Sequence, residues 1–134
     1  MIDYRIAAKA FIIKDGKLFM MKRRANDPHK PGAWDIPGGR LDFGESPYDG
    51  LTREVKEEIS SEVDIIMPID VQHFTRDDGQ HITLIMFLCH LRNGDMKLSE
   101  EHQEYKWIDI NSEVDTIPKF FHKALNNYNT HIKQ

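Results

Sequence analysis

Residues 81–91, HITLIMFLCHL, are apolar nearly without interruption from Ile82 to Cys89. A strand lying on an open sheet face alternates apolar and polar side chains, whereas one covered on both faces does not. The run is far shorter than the roughly 20 residues a helix needs to cross a bilayer. It therefore predicts a central strand with material packed above and below it. A chain of 134 residues is long enough to do this as one domain with its own core.

The flanking segments supply the layers. RIAAKAFIIKDGKLFMMKRR (5–24) reads as two strands around Asp15-Gly16, a favoured two-residue hairpin turn. ANDPHKPGAWDIPGG (25–39) is crowded with Pro and Gly and reads as a loop with a short extended piece at Trp34–Ile36. A helix then starts, with Ser46 as N-cap, Pro47 in the first helical position and Asp49 completing a capping box. Tyr48, Leu51, Val55 and Ile59 recur at helical spacing and form its buried stripe. EVDIIMPIDVQHFT (62–75) pairs with the central strand through RDDGQ, and Asn93-Gly94 marks a further turn. YKWIDI (105–110) reads as a short strand and IPKFFHKALNNY (117–128) as a closing amphipathic helix. The fold class expected is α/β: a mixed β-sheet sandwiched between helices, one on each side.

The first helix carries a second constraint. In REVKEEIS (53–60), Glu54, Glu57 and Glu58 point largely away from the apolar stripe. Solvated helix faces usually mix signs at i, i+4, but Glu54 and Glu58 form a like-charge pair at that spacing with Glu57 beside both. At about 6 Å and an effective dielectric of about 20, each such pair costs roughly 2–3 kcal/mol before solvent screening. A hard divalent cation reverses the sign, since Mg²⁺ takes carboxylate and water oxygens and bridges them to phosphates. Helix geometry alone leaves both a metal site and a solvated face open.

The flanking residues add to this. Gly39, five residues, Glu45, seven residues, then Arg53-Glu54-Val55-x-Glu57-Glu58 resembles the Nudix box, G-x5-E-x7-R-E-U-x-E-E-x-G-U, where U is a bulky aliphatic residue. Every charged position and the first glycine match. Ser60 and Ser61 depart from it, standing where the second glycine and the last aliphatic belong. AWDIPGGRLDFGES (33–46), HITL and EHQEYKWIDI also look like Nudix segments, and the spacing from Arg23-Arg24-Ala25 to Pro37-Gly38-Gly39 is similar to that of the MutT branch. The likeness covers residues 5 to 110. It implies a single Nudix hydrolase domain over 1–134, with its box at about 39–61.

The resemblance also implies a chemistry, cleavage of a nucleoside diphosphate linked to another group by attack of water on phosphorus. Glu54, Glu57, Glu58 and the Gly38 carbonyl are then the expected metal ligands, with Mg²⁺ as cofactor and Mn²⁺ as a substitute. Glu57 and Arg53 are expected catalytic residues, Arg53 orienting a carboxylate; an ordinary surface ion pair is the plainer account of Arg53. Glu45 has a mixed structural and metal-linked role in the family. For the general base, LSEEHQEYKW offers Glu100, Glu101 and Glu104, and Glu104 is favoured, three residues before Trp107. Gly38-Gly39 equally suits a tight turn. Lys22, Arg23, Arg24, His29 and Lys30 form a local basic cluster, either a phosphate site or surface charge, with Arg23 and Arg24 the expected substrate-binding pair. Trp34, Phe74 and Phe87 either stack on a base or belong to the core.

Composition trims the alternatives. A net charge of −4 argues against a nucleic-acid partner. Cys89 is a lone thiol in an apolar run, and Met1–Ala10 lack the apolar core of a signal peptide, which together fit a cytoplasmic protein with no membrane partner. The seven histidines show no paired spacing for zinc, and no DxDxDG loop suggests calcium. The expected partner is a nucleotide, first a nucleoside triphosphate and second an ADP-ribose-type or dinucleoside polyphosphate. A catalytically silent nucleotide-binding domain is disfavoured because no acidic box position is lost. A homodimer through a sheet edge stays open.

Overall fold

A computed structural model describes residues 3–132, so residues 1–2 and 133–134 of the expected domain lie outside the described residues. The chain runs β1 (Tyr4–Lys14), β2 (Lys17–Arg23), β3 (Trp34–Asp35), β4 (Gly38–Arg40), α1 (Pro47–Ile59), β5 (Val63–Thr75), β6 (His81–Leu91), β7 (His102–Asp109) and α2 (His122–Asn127). Asp15 and Gly16 both take positive φ, 51° and 73°, as a tight turn that follows the strand twist requires.

β1 and β2 pair only beside that turn, at Ile13–Leu18 and Lys14–Lys17, and then part. β2 goes on to pair with β3 and β7, while β1 pairs with β4 and, in parallel, with β6. The apolar run therefore lies where its composition demands, with β6 between β1 and β5. Alternate residues of β1 feed two cores. Ala8, Ala10 and Ile12 pack with Phe19, Met21, Phe87 and Cys89 under Leu51, Val55 and Ile59 of α1. Ala7, Phe11 and Ile13 pack with Met20, Leu84 and Leu88 under Ile117, Phe121, Ala124 and Leu125. The result is the expected α/β/α sandwich around a mixed, seven-stranded sheet.

Several local expectations need correction. Tyr48 is 55% exposed and leans on the Phe87 ring instead of joining the stripe. Gly50 faces the core in its place, because a Cβ there would come within 2.3 Å of Leu41. Ser46 does cap α1, its hydroxyl accepting from Asp49 N at 3.1 Å. Asp49 makes no return bond, being one methylene shorter than the glutamate of a full capping box. Gly38 and Gly39, read as loop, belong to a strand, Gly38–Arg40, on β1. β7 starts at His102, since its ladder with β2 continues past Tyr105 through Glu104 and, across a bulge, His102. The helix expected over 117–128 is only six residues of α2, preceded by 3₁₀ turns at Val114–Thr116 and Lys119–Phe121 and followed by a π turn at Tyr128–Ile132. Pro118 lacks an N–H and holds Ile117 extended (φ −87°, ψ 128°), so no α-helix starts there.

Candidate active site

Two glycines let the sheet approach α1. At Gly38 φ is 135° and a Cβ would sit 2.2 Å from the Ala8 carbonyl oxygen, so no other residue fits. A Cβ on Gly39 would sit 3.1 Å from the Glu54 carboxylate. Main-chain bonds from Ala10 N to Pro37 O and from Leu41 N to Ile6 O flank the pair. Gly38 N turns away from β1 and donates to Glu58 Oε1 at 2.9 Å.

Arg53 organises the acidic face. Its Nε and Nη2 form a two-pronged clamp on Glu45, at 2.8 and 2.9 Å, while Nη1 reaches Glu54 at 3.2 Å and Glu57 at 3.3 Å. Glu45 also accepts from Asp42 N. These hydrogen bonds, that of Arg53 foremost, hold the Glu45 carboxyl down to about 2. Arg53 thus does more than orient one carboxylate: it ties together three.

Glu58 behaves differently from its neighbours and corrects the outward-facing reading of all three glutamates. It lies at i+3 from Val55 and i+7 from Leu51, on the flank of the stripe, and is only 7% exposed. Burial, reinforced by the nearby charges of Glu54 and Asp35, pushes its carboxyl up to about 8. Lys9 and the Gly38 N–H pull against this without cancelling it. Burial also raises Glu54, whose carboxyl is close enough to share a hydrogen bond with Glu58, whereas Glu57 stands exposed beside Arg53. Two carboxylates this close cannot both ionise easily in a partly dry site.

That arrangement fits a divalent cation. The donors are all oxygens, two of them on carboxyls that burial raises in pKa despite nearby cations, and the Gly38-Gly39 backbone lies against them. Among the described residues no three carboxylate, imidazole or thiol groups yet converge on one point, Glu57 being turned to Arg53.

The remaining expected residues divide. Arg23 is committed to the protein, donating to Asp35 at 3.0 Å and to Asp27 at 3.1 Å. Asp35 is fully buried, which alone would raise its carboxyl, but Lys9 at 2.7 Å and Arg23 outweigh burial and hold it at about 2. Arg24 is anchored by its main chain, its N–H donating to Glu101 O, and its guanidinium has no hydrogen-bond or ion-pair partner among the described residues. Glu104 lies on exposed β7 opposite Lys22, 3.9 Å from its ammonium, not in a loop over α1. Trp34, Lys30, Pro118, Phe120 and Phe121 line a cavity of about 330 Å³ whose wall includes Asp35. Phe74 backs this cavity edge-on to Phe120, while Phe87 is buried under α1 and faces no cavity there.

One residue escaped the sequence reading. The His102 side chain is 5% exposed, its Nε2 lies 3.6 Å from Glu58 Oε2, and its Nδ1 is buried without a partner. A lone histidine with no spacing partner carries no local signal; the β2–β7 pairing and the docking of the preceding segment on α1 bring it there.

The NUDIX domain model matches residues 3–126 of the chain. The chain is 30% identical over 108 residues to the ADP-ribose pyrophosphatase of Methanocaldococcus jannaschii, an alignment that spans 80% of this chain and 63%, less than two thirds, of that protein. It is 30% identical over 107 residues to the nucleoside triphosphatase NudI of Escherichia coli, spanning 72% of this chain and 76% of that protein. The crystal structure of the MutT protein from Methanosarcina mazei Go1 superposes with a TM-score of 0.85 at 27% identity, covering 99% of this chain and 98% of that one.

Proposed function

The chain belongs to the NUDIX domain family, and on that premise we propose that it hydrolyses a phosphoric anhydride bond in a nucleoside diphosphate linked to a further group. The observation that carries this reading is the Glu58 carboxylate, buried beside Glu54 and gripped by the Gly38 N–H. Glu54, Glu57, Glu58 and the Gly38 carbonyl are the ligands proposed for Mg²⁺, with Mn²⁺ able to take the same oxygen set. A cation bound there would neutralise charge along the diphosphate and lower the pKa of the attacking water.

The chain's own side chains do the positioning. Arg53 sets the orientation of Glu54 and Glu57 and is itself fixed by the clamp on Glu45. The Arg24 guanidinium, without a carboxylate partner among the described residues, is the better phosphate donor of the arginine pair; Arg23 instead holds Asp35 in the wall. The cavity lined by Trp34 and Phe120, with Asp35 in its wall, is the site proposed for the base. Glu104 remains the base to test for the water proton, exposed and held only by a distant Lys22.

The likeness to NudI and to the MutT structure supports a nucleoside triphosphate as substrate. An ADP-ribose-type substrate is the second reading, favoured by equal identity to the Methanocaldococcus protein. Turnover of both classes with Mg²⁺, Mn²⁺ or EDTA, scored by product, separates them: nucleoside monophosphate with pyrophosphate in one case, AMP with ribose 5-phosphate in the other. Glu57→Gln should abolish metal-dependent turnover of either. Full activity of that variant, or of the parent in EDTA, overturns the metal reading.

A further inference from the structure

The Glu58 carboxylate is held from two sides. Gly38 N donates to Oε1 at 2.9 Å, and the His102 ring closes the other side, Nε2 lying 3.6 Å from Oε2. We propose that His102 is a positioning residue for Glu58, its Nε2–H fixing the direction in which that carboxylate is presented to a divalent cation; this rests on the metal reading above. At 3.6 Å the contact is a close polar approach just outside hydrogen-bond range.

Three observations carry the assignment. Among the described residues the imidazole serves no other group: Nδ1 is buried with no partner and Nε2 has only Glu58. A buried ring used only for packing would leave its two nitrogens desolvated for nothing, at a cost an apolar side chain avoids. The segment that delivers the ring is also docked on α1 by its backbone, with Lys97 N donating to Ile59 O and Ser99 N to Glu58 O, both at 2.9 Å. His102 N donates in turn to Ser99 O, and Arg24 N to Glu101 O, so the ring is referenced to α1 and β2 together. The same main-chain bonds satisfy carbonyls in the last turn of α1 that the helix leaves open. Outer partners of this kind orient ligating carboxylates and tune metal affinity.

The test uses His102→Leu, which keeps bulk and removes the donor, and His102→Gln, whose amide nitrogen restores a donor near the Nε2 position. Mn²⁺ binding is read from the free-ion EPR signal without nucleotide, beside melts in EDTA that confirm folding. His102→Leu should weaken Mn²⁺ binding by about 10–100-fold and His102→Gln by no more than about threefold, the range seen for outer-shell partners. Equal losses in both variants would mean that the ring only packs, and the proposal is overturned. Binding like the parent in His102→Leu, beside lost binding in Glu58→Gln, overturns it while leaving the metal site intact. Parent-like binding in Glu58→Gln as well removes the metal reading, and the proposal with it.

Discussion

Replacing Glu58 by glutamine should stabilise the metal-free protein, and the gain should depend on pH in a way set by burial. The Glu58 carboxyl titrates at about 8 in the folded chain against an ordinary 4.5. A group whose folded pKa is raised stabilises fully below its unfolded pKa, and that contribution is lost as pH rises through the folded value. Between about pH 4.5 and 8 the folded parent retains a proton that the unfolded chain has released. Each pH unit in that window therefore costs the parent about 1.4 kcal/mol, or about 3 kcal/mol by pH 7. Glutamine avoids the cost. Its amide oxygen can still accept from Gly38 N.

Urea melts of both proteins in EDTA at half-unit steps from pH 4.5 to 8.5 measure this. The difference should be close to zero at pH 4.5, grow by about 1.4 kcal/mol per unit, and level off above pH 8. Adding Mg²⁺ should stabilise only the parent, because the cation takes the place of the proton. A stability difference constant across pH, or a glutamine variant less stable than the parent at pH 7, would refute the burial argument.

Three further outcomes follow from the geometry. Ser60 closes α1 in the left-handed region, φ 53° and ψ 37°, so Ser60→Gly should gain about 1 kcal/mol in a denaturant melt and leave kcat within about twofold. Asp35→Asn leaves the Lys9 and Arg23 cations facing a neutral amide and should cost about 3–5 kcal/mol of stability, read by the same melt. Arg24→Ala should raise KM by the equivalent of about 1.5–3 kcal/mol without moving the melting temperature, while Arg23→Ala should lower the melting temperature first, as steady-state kinetics beside thermal melts will resolve.

Features of the fold that depend on neighbours in sequence were legible. The positive-φ turn at Asp15-Gly16, the Ser46 cap, the Leu51-Val55-Ile59 stripe and the central position of β6 all follow from local pattern. Two of the misreadings share one cause, a local signal overridden by a distant partner. Gly38-Gly39 reads as loop because glycine is poor in strands, yet its missing Cβ is what lets β4 lie against Ala8. Tyr48 has the right spacing for the stripe, but Leu41 comes so close to the first turn of α1 that only Gly50 fits there. At the closing helix the overriding signal is local: Pro118 holds the preceding Ile117 extended and so keeps it out of an α-helix, whatever the amphipathic pattern beyond it.

The site divides along the same line. Spacing shows which side of a helix a carboxylate leaves from, and it put Arg53, Glu54 and Glu57 within reach of one another but misjudged Glu58, which is buried. It cannot show what arrives on that side from elsewhere. Gly38, twenty residues before Glu58, supplies an N–H, and the 97–102 segment, forty residues after it, supplies a backbone cover and the His102 ring. Those arrivals turn a like-charge helix face, tolerable in water, into one with a buried member. In water the repulsion among Glu54, Glu57 and Glu58 would be screened to little. With Glu58 dry, the same charges leave two stable choices, a retained proton or a bound cation. The burial of Glu58 thus owes less to the crowding of glutamates along α1 than to the two distant segments that exclude water from it.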